Sequence, residues 1–465
     1  MTRLPVMLTQ QTDPNGNVTQ YTYNRLGYPV MERDAAGYIT TMTYNDDGRL
    51  TSTTLPAGNT FQYTYDAGNP SRFQEGNLLQ QTEDPGTRGG DQSFITTTYT
   101  YEPVYNHIHT MTEPRGNDPS YVPQNGGSQS AARYTTTYTY DSQGNLTEKL
   151  QPSVILPGGR GSQSIETDYT YNGFGQLTSE TDPEGNVTEY EYCPLATPSC
   201  ATSSSAGGGY LQKTITDAAT SPRRTESTPP AAITNQYFYD GVGNLIRSVD
   251  GRGNDTLDTV NQLNQVVETQ SELPYRYITY TFYDANDNVI QRNVENQAPT
   301  ATDGKPSFTG SNFASADGTP TYFMTYYAYD ILDKLVKDNE DASGSTPARV
   351  ITQYYYDSDQ NRIQETLPAG NINRFDYDSR NLQASQTRGF GSGGASTTTY
   401  DYDENRNRIG MVDGRGNATT YQYDGFDRRT TVTDAVGDQD ETHYDPAGNV
   451  ISRSYYGLPG RLQLE

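Results

Sequence analysis

The chain has 465 residues and a formal net charge of -25, with Lys+Arg 32 against Asp+Glu 57. Only 32% of it is hydrophobic and 40 residues are tyrosine, which leaves too little aliphatic side chain for several conventional cores. The acidic balance argues against nucleic acid as a partner, because phosphates are bound by clustered Lys and Arg. The tyrosines and 12 Phe argue against disorder, since they form β-structure and carry large apolar area.

No apolar run reaches the roughly 18 residues that cross a bilayer, and the start, MTRLPVMLTQQ, lacks the apolar segment of a secretory signal. We therefore expect another export route or an internal piece of a longer exported chain. The expected location is extracellular, secreted or at the cell surface. Leu464-Glu465 resembles a cloning scar. Residues 1–463 are predicted to be a single repeat array of about sixteen units.

The repeat unit reads Gly-Asn, four variable residues, Tyr-x-Tyr-Asp/Asn, two variable residues and Gly-x-Leu. Its second tyrosine, the anchor, often recurs after 21 positions. The anchors are Tyr23, Tyr44, Tyr65, Tyr101, Tyr140, Tyr171, Tyr192, Tyr239, Tyr283, Tyr329, Tyr356, Tyr377, Tyr402, Tyr423 and Tyr444. Longer steps are interpreted as Gly/Ser/Pro-rich insertions near 84–98, 115–133, 152–164, 193–235, 296–320, 338–348 and 388–396.

Each unit is predicted to be a β-hairpin. Segments such as TQYTYN alternate aromatic residues with Thr or Gln at period two, which places both tyrosines on one strand face. Four residues after the anchor comes a residue that tolerates positive φ, which predicts the corner of a hairpin turn. The glycines at this position are Gly27, Gly48, Gly144, Gly175, Gly243 and Gly448, and Asp287, Asp333 and Asp427 replace glycine elsewhere. Gln360 and Arg406 break the rule, so their turns are expected to differ. The return strand then opens on an apolar residue such as Leu50.

A second kind of turn is predicted between hairpins, as in Asp13-Pro14-Asn15-Gly16-Asn17 and Leu55-Pro56-Ala57-Gly58-Asn59. Proline presets φ at the second position and glycine supplies the later positive φ. Because a lone hairpin is marginal in water, each hairpin must stack on its neighbours. We expect an all-β fold with minor helix, in which the hairpins form a spiralling, curved antiparallel sheet wetted on both faces, a partial or open hollow shell.

These residues resemble the YD repeats of RHS proteins, of the C component of insecticidal toxin complexes and of teneurins, roughly from Asp13 to Tyr456. The resemblance implies a spiral β-sheet cocoon, which in bacterial members encloses a C-terminal toxin and in teneurins serves adhesion. Family members of the toxin type end in a self-cleaving core motif. Here the nearest stretch, from Tyr444 to Tyr456, lacks the second Tyr-Asp-Pro, so self-cleavage is not carried over.

Candidate sites have simpler alternatives. His107 and His109 lie two apart on a strand-like segment and can pair on a metal, but a third ligand is missing and exposed histidines are favoured. Turn Asp and Asn oxygens can bind Ca²⁺, yet solvated turns explain them. The runs Asp250–Asn254 and Asp413–Asn417 imitate a phosphate loop but lead into strands, so they are predicted to be turns. No metal or cofactor is expected.

Cys193 and Cys200 lie in a Gly/Ser/Pro-rich stretch. A disulfide between them would close a small loop and suit an oxidising compartment, with two free surface thiols as the alternative.

The function predicted from the sequence is structural. No nucleophile, base and orienting group emerge together, so we expect no enzyme. The chain is interpreted as a shell segment that encapsulates and helps deliver a C-terminal toxin or other cargo, with the remaining shell and toxin segments as partners. The alternative is a cell-surface adhesion or glycan-binding module, because tyrosine rows can stack on sugars. Open sheet edges predict capping by the terminal segments or self-association.

Overall fold

The computed structural model describes residues 7–121, 129–155, 162–193, 209–218, 232–273, 275–296, 321–341 and 349–457. In these residues 33 strands form one antiparallel sheet, and the all-β fold predicted from the sequence is confirmed. The helical segments are a single α-helical turn, Pro114–Asn117, and two short 3-10 segments, Gly86–Arg88 and Ala131–Tyr134. The helices of the described part are all too short to cross a membrane.

The strands are β1 (Gln10–Thr12), β2 (Val18–Tyr23), β3 (Pro29–Arg33), β4 (Ile39–Tyr44), β5 (Leu50–Thr54), β6 (Thr60–Tyr65), β7 (Leu78–Asp84), β8 (Ile95–Tyr101), β9 (Ile108–Thr112), β10 (Thr135–Tyr140), β11 (Leu146–Ile155), β12 (Ser162–Tyr171), β13 (Leu177–Thr181), β14 (Val187–Tyr192), β15 (Leu211–Thr216), β16 (Ile233–Tyr239), β17 (Leu245–Val249), β18 (Asp255–Val260), β19 (Val266–Gln270), β20 (Ile278–Tyr283), β21 (Val289–Asn296), β22 (Thr321–Tyr329), β23 (Leu335–Asp341), β24 (Arg349–Tyr356), β25 (Arg362–Thr366), β26 (Ile372–Tyr377), β27 (Gln383–Arg388), β28 (Ser396–Tyr402), β29 (Arg408–Val412), β30 (Ala418–Tyr423), β31 (Arg429–Thr433), β32 (Gln439–Tyr444) and β33 (Val450–Tyr456).

The sheet is a continuous meander. Each strand pairs with the strand before it and the strand after it in the sequence, as β2 does with β1 and β3. The edge strands β1 and β33 each pair on one side, and within the described residues no strand pairing closes the sheet. Such a sheet has only nearest-neighbour contacts along its length, which is the condition for each hairpin to depend on the next.

Two kinds of five-residue turn alternate along the chain. We call the turns that follow the anchor tyrosine corner turns, as in Asn24–Tyr28, and those that join hairpins linker turns, as in Asp13–Asn17. In both, the first N–H donates to the fifth carbonyl and the fourth N–H donates to the first carbonyl. The fourth residue has positive φ, for example 91° at Gly27 and 67° at Asp287, which confirms the predicted left-handed corner.

The expectation that Gln360 and Arg406 give different turns is wrong. Their φ values are 65° and 70°, and each donates its N–H to the first residue of its turn, as the glycines do. The cost of a left-handed residue with a Cβ, about 1–2 kcal/mol, is offset because the first residue fixes the turn. Asp357 Oδ1 accepts the N–H of Asn361 at 2.9 Å, and Asp357 Oδ2 accepts the Asn361 amide at 3.0 Å.

Side chains also connect neighbouring corner turns, from the fifth residue of one to the fourth residue of the next. Amide side chains at the fifth position donate to polar fourth residues, as in Asn361 to Asn381 at 2.8 Å and Asn407 to Asp427 at 2.7 Å. Where the next fourth residue is glycine, a large side chain covers it. A Cβ on Gly48 would lie 2.5 Å from Cζ of Tyr28. The residue type at the fourth position therefore depends on the fifth residue of the preceding corner turn as well as on the positive φ.

The anchor tyrosines bind the backbone of the preceding hairpin. Nine hydroxyls donate to the carbonyl of the first residue of the preceding return strand, and that of Tyr23 donates to Leu8, two residues before β1, all at 2.7–3.1 Å. The nine are those of Tyr101, Tyr140, Tyr283, Tyr329, Tyr356, Tyr377, Tyr402, Tyr423 and Tyr444. Tyr402 shows the reason, since the β27–β28 ladder ends at the pair Ser385–Thr399, two residues short of the acceptor Gln383. The hydroxyl supplies the bond that the ladder does not reach.

The sheet has no conventional core. In the described residues six hydrophobic side chains are buried, among them Val187, Phe375 and Tyr421, while most strand residues are half-buried. This agrees with a thin sheet wetted on both faces and stabilised by hydrogen bonds and tyrosine packing.

The predicted insertions are partly strands. Residues 193–235 contain β15, in which LQKTIT pairs with β14 and β16, and 152–164 contains the ends of β11 and β12. Composition misled the interpretation there, because Gly/Ser-rich sequence flanks a short alternating segment. Other parts of the predicted insertions, residues 122–128, 156–161, 194–208, 219–231, 297–320 and 342–348, lie outside the described residues.

We predict that Tyr402→Phe lowers the free energy of unfolding by about 0.5–1.5 kcal/mol, because the Gln383 carbonyl loses its donor. Tyr400→Phe on the same strand is the matched control, since the aromatic ring is kept and the Tyr400 hydroxyl makes no hydrogen bond to the described residues. Chemical denaturation of both variants gives the comparison. Equal losses would show that the anchor acts through its ring alone.

Acid should weaken the turns. Hydrogen bonds lower the pKa of Asp141, mostly through the Asn145 side chain, and of Asp413, mostly through the Asn417 side chain. A lowered folded pKa contributes stability above the unfolded pKa, and this stability is lost as pH falls through the folded value. We expect the thermal midpoint to fall below about pH 4. The variant Asp141→Asn/Asp413→Asn should fall less steeply, because Asn172 already holds such a turn. A variant slope as steep as that of the unchanged protein would contradict this assignment.

Candidate functional site: the seam between successive laps

Turns that lie far apart in the sequence contact each other along one line, which we call the seam. Five pairs form it: linker turn 13–17 with corner turn 357–361, 34–38 with 378–382, 55–59 with 403–407, the segment 85–93 with 424–428, and 113–117 with 445–449. In each pair the second turn follows a strand 23 positions later than the first, as β24 follows β1 and β32 follows β9. A constant offset means that the meander coils, and that one lap contains 23 of the strands in the described residues.

The lap length sets the width of the coil. With strands about 4.8 Å apart, 23 of them give a circumference of about 110 Å and a diameter of about 35 Å, or about 45 Å if the strands tilt as in barrels. Side chains on the inner face take about 5 Å from each wall, half the usual spacing of packed sheets. A lumen of about 25–35 Å remains, and the spiral form expected from the sequence is present.

The centre of the seam is a network of amides and carboxylates. The Asn405 side chain accepts the Ala57 N–H at 3.2 Å and donates to Asn59 Oδ1 at 2.8 Å. Arg88 donates to Asp427 at 2.8 Å and to Asp403 at 3.3 Å, with its side chain 19% exposed. Asn59, only 3% exposed, is buried by this contact, and its amide is satisfied by Asp427 at 3.2 Å.

The segment 85–93, part of a predicted insertion, lies over the next lap. Gly425 donates its N–H to the Gly89 carbonyl at 2.6 Å. The Gln92 side chain accepts from Arg428 and donates to the Tyr444 carbonyl, both at 2.8 Å. Composition predicts a loop insertion here, but the segment 85–93 links the two laps, and we call it the latch.

Charge is concentrated along this latch. Asp91 accepts the Tyr444 N–H at 3.1 Å and lies 3.3 Å from His443 Nδ1. The pKa of Glu83, two residues before the latch, is raised by burial and by the charges of Asp427 and Asp424, against the opposing effect of Arg428. At the far end Arg115 lies 3.6 Å from Asp445, which is 3% exposed. In this part of the seam, carboxylates of one lap lie against cations or N–H groups of the other, which stabilises them away from water.

The third residue of a corner turn faces the other lap. Four of the five seam pairs show this, at Asp359, Arg380, Asn405 and Phe426, whereas in the fifth pair the contact is made by Asp445, the first residue of its turn. Asp359 accepts the Asn15 N–H at 3.3 Å, Arg380 lies over the ring of Tyr38 at 5.2 Å, and Phe426 lies against Gly90. Four chemically unrelated side chains occupy the same position. The coil therefore determines that this position contacts the other lap, and the residue type determines whether the contact is a hydrogen bond, a cation–π contact or apolar packing.

The two histidines predicted as possible metal ligands make different contacts. His107 packs between Tyr105 and Tyr140, with ring centroids 6.0 and 5.0 Å away, whereas His109 Nδ1 lies 3.2 Å from the Tyr138 carbonyl oxygen. A bulge at His109 separates them. Over the described ranges no group of three or more His, Cys, Asp or Glu side chains could hold a metal ion.

The two phosphate-loop imitations are linker turns, with Gly253 and Gly416 at φ 84° and 86°. Cys193 is buried and disulfide-bonded, while Cys200 lies outside the described residues, so the pairing of these two cysteines stays a prediction. No sequence pattern predicts the seam, because its partners are 315–368 residues apart and belong to ordinary turns.

Gly425→Ala should open the seam selectively. A Cβ there would lie 2.5 Å from the Pro85 Cα and carbonyl oxygen, which are backbone atoms and cannot move aside cheaply. Gly173 holds the same position in an uncovered corner turn and has open space around it, so Gly173→Ala is the matched control. We expect faster tryptic cleavage after Arg88 in the first variant only, with overpacking costing about 1–3 kcal/mol. Unchanged protection of Arg88 would show that the two laps do not touch there.

The RHS Repeat family matches residues 7–40, 44–88, 163–192 and 407–439. No curated protein matches the chain. Among solved structures, the chain is similar to a crystal structure of TcdB2-TccC3-TEV, with 12% identity over 95% of this chain and 26% of that chain at a TM-score of 0.42. A Photorhabdus luminescens Tc holotoxin pore is similar at 15% identity over 93% of this chain and 23% of that chain, with a TM-score of 0.35.

The chain spans about a quarter of the length of these structural neighbours. Four separate family matches fall on the hairpins that the repeat pattern defines, in the first, middle and last parts of the array. The resemblance stated from the tyrosine and glycine pattern is thereby confirmed. The chain carries RHS repeats in these four regions.

Proposed function

We propose that the chain is a wall segment of an exported RHS shell that encloses a C-terminal toxin or other cargo and helps to deliver it. The seam carries the proposal. A meander alone is an open ribbon, but contacts at five successive turns bring one lap against the next. A coiled wall with a lumen separates its contents from solvent and proteases.

The adjoining partners would be further laps of the same shell. Three corner turns outside the seam carry Asp47, Gln143 or Asn286 at the third position, the position that faces the other lap within the seam, and six carry large apolar residues there. These residues are Leu26, Val104, Phe174, Val242, Leu263 and Leu332, and they are 54–76% exposed. Exposed apolar residues that recur at one turn position favour a surface for packing. We infer that this rim receives another lap from a longer RHS chain or from a partner chain.

The proposed role is structural, and the anchor tyrosines support it because their hydroxyls donate to backbone carbonyls of the neighbouring hairpin. Several tyrosine rings likewise stack on their own neighbours, as Tyr28 does on Tyr44 with ring centroids 5.0 Å apart. The adhesion or glycan-binding alternative needs free ring faces, so these contacts favour the shell.

The container can be tested with full-length protein that carries these repeats. Protease should spare the enclosed segment in the unchanged protein and in Gly173→Ala, and should degrade it faster in Gly425→Ala, where the seam is blocked. Mass spectrometry of the digest identifies the spared segment.

Solution scattering of the present chain supplies a second measurement. A hollow coil about 35–45 Å across should give a pair-distance distribution with a depleted centre. An extended ribbon in scattering, or a cargo cut equally fast in all three proteins, would refute the container.

A further inference from the structure

We propose that Asp13 and Asp359 form a proton-sharing carboxyl pair that makes one end of the seam tighter in acid than at neutral pH. This end is the contact between linker turn Asp13–Asn17 and corner turn Asp357–Asn361. The proposal concerns the coil itself and holds whether or not the shell encloses cargo.

The contact gathers three carboxylates around one asparagine. Asn15 donates its N–H to Asp359 Oδ1 at 3.3 Å and its side-chain amide to Asp357 Oδ2 at 3.0 Å. Asp13 lies within hydrogen-bonding reach of Asp359. The second oxygen of Asp359, Oδ2, is buried and has no donor among the described residues. A buried carboxylate oxygen without a donor is costly unless it carries a proton.

The corresponding corner turn two steps along the seam shows that an ionised Asp359 lacks a hydrogen-bond donor. Asn405 is the third residue of its corner turn, as Asp359 is, and its Oδ1 accepts the Ala57 N–H just as Asp359 Oδ1 accepts that of Asn15. The amide of Asn405 then donates to Asn59 at 2.8 Å. A carboxylate has no hydrogen to donate, so Asp359 can donate a bond across the seam, here to Asp13 at the start of the facing turn, only when it is protonated.

The remaining charges near the pair do not neutralise it. Both Asp13 oxygens accept from Asn17, at 2.7 and 2.9 Å, and Asp357 is held by Asn361 and Asn15. The adjacent cleft, of about 300 Å³, is lined by Arg374, Asp376 and Asp378 as well as by Asn15 and Asp357. Arg374 lies 3.7 Å from Asp376 and is used there. In the described residues none of the three seam carboxylates forms an ion pair.

The pKa directions agree with this geometry. Burial raises the pKa of Asp359, and the hydrogen bond and charge of Asp13 raise it further. Burial alone would raise the pKa of Asp13, but the hydrogen bonds from Asn17 outweigh it and lower that pKa. Between the two values one proton is shared. A raised folded pKa contributes stability below the unfolded value, and this stability is lost as pH rises through the folded value.

Hydrogen exchange of the full chain, followed by mass spectrometry, tests the pair. The Asn15 and Ala57 amides make equivalent bonds to Asp359 and Asn405, so the ratio of their exchange rates cancels the intrinsic pH dependence. From about pH 4 to about pH 7, we expect Asn15 to lose protection relative to Ala57. Asp359→Asn restores a donor and should keep Asn15 protected throughout this range. Asp13→Asn, which leaves a neutral acceptor, should also remove the loss.

Each other outcome counts against the pair. A constant ratio in the unchanged protein means that no proton is shared. Loss of Asn15 protection at neutral pH in both Asn variants means that the ionised carboxylates stabilise the contact. Neutral-pH protection that appears with added Ca²⁺ and disappears with chelator would assign the carboxylates to a cation instead. The circular dichroism of each variant, compared with that of the unchanged protein, separates these results from misfolding.

Discussion

A tyrosine hydroxyl that reaches back to a backbone carbonyl of the preceding hairpin is the contact on which the rest of this structure depends. It is made where the strand ladder ends early, so it completes hydrogen bonding that the sheet leaves unfinished. A phenylalanine would provide the same ring without the donor. Because the acceptor always belongs to the neighbouring unit, the tyrosine stabilises the stack and not the single hairpin, and the sheet persists with very few buried hydrophobic side chains.

The turns have two roles at two distances. Within a lap, the fifth residue of one corner turn satisfies or covers the fourth residue of the next, as Asn407 does for Asp427. Between laps, the third residue of the corner turn faces a linker turn, as Asn405 does. The same five-residue turn therefore holds hairpins side by side and stacks one lap on another. The constant offset of 23 strands follows, since every seam contact must fall in step with the repeat.

The polar character of the seam fits a wall that is assembled from hydrated parts. Amides, carboxylates and arginines meet there instead of aliphatic side chains, and their bonds can be exchanged for water when the laps separate. The latch 85–93 adds backbone contact, through Gly425 and Gly89, that side chains cannot supply. Acidity at Asp13 and Asp359 would then tune a contact that is already marginal.

The repeat pattern by itself determined the strands, the positive-φ corners and the dependence of each hairpin on the next, because these rest on contacts between residues close in sequence. It failed at Gln360 and Arg406, where the aspartate at the start of the turn holds the backbone and overrides the residue's own preference. Only the tertiary structure decided the seam, the latch and the pairing of Asp13 with Asp359. The length of a lap depends on curvature summed over 23 strands, and no local pattern records that sum.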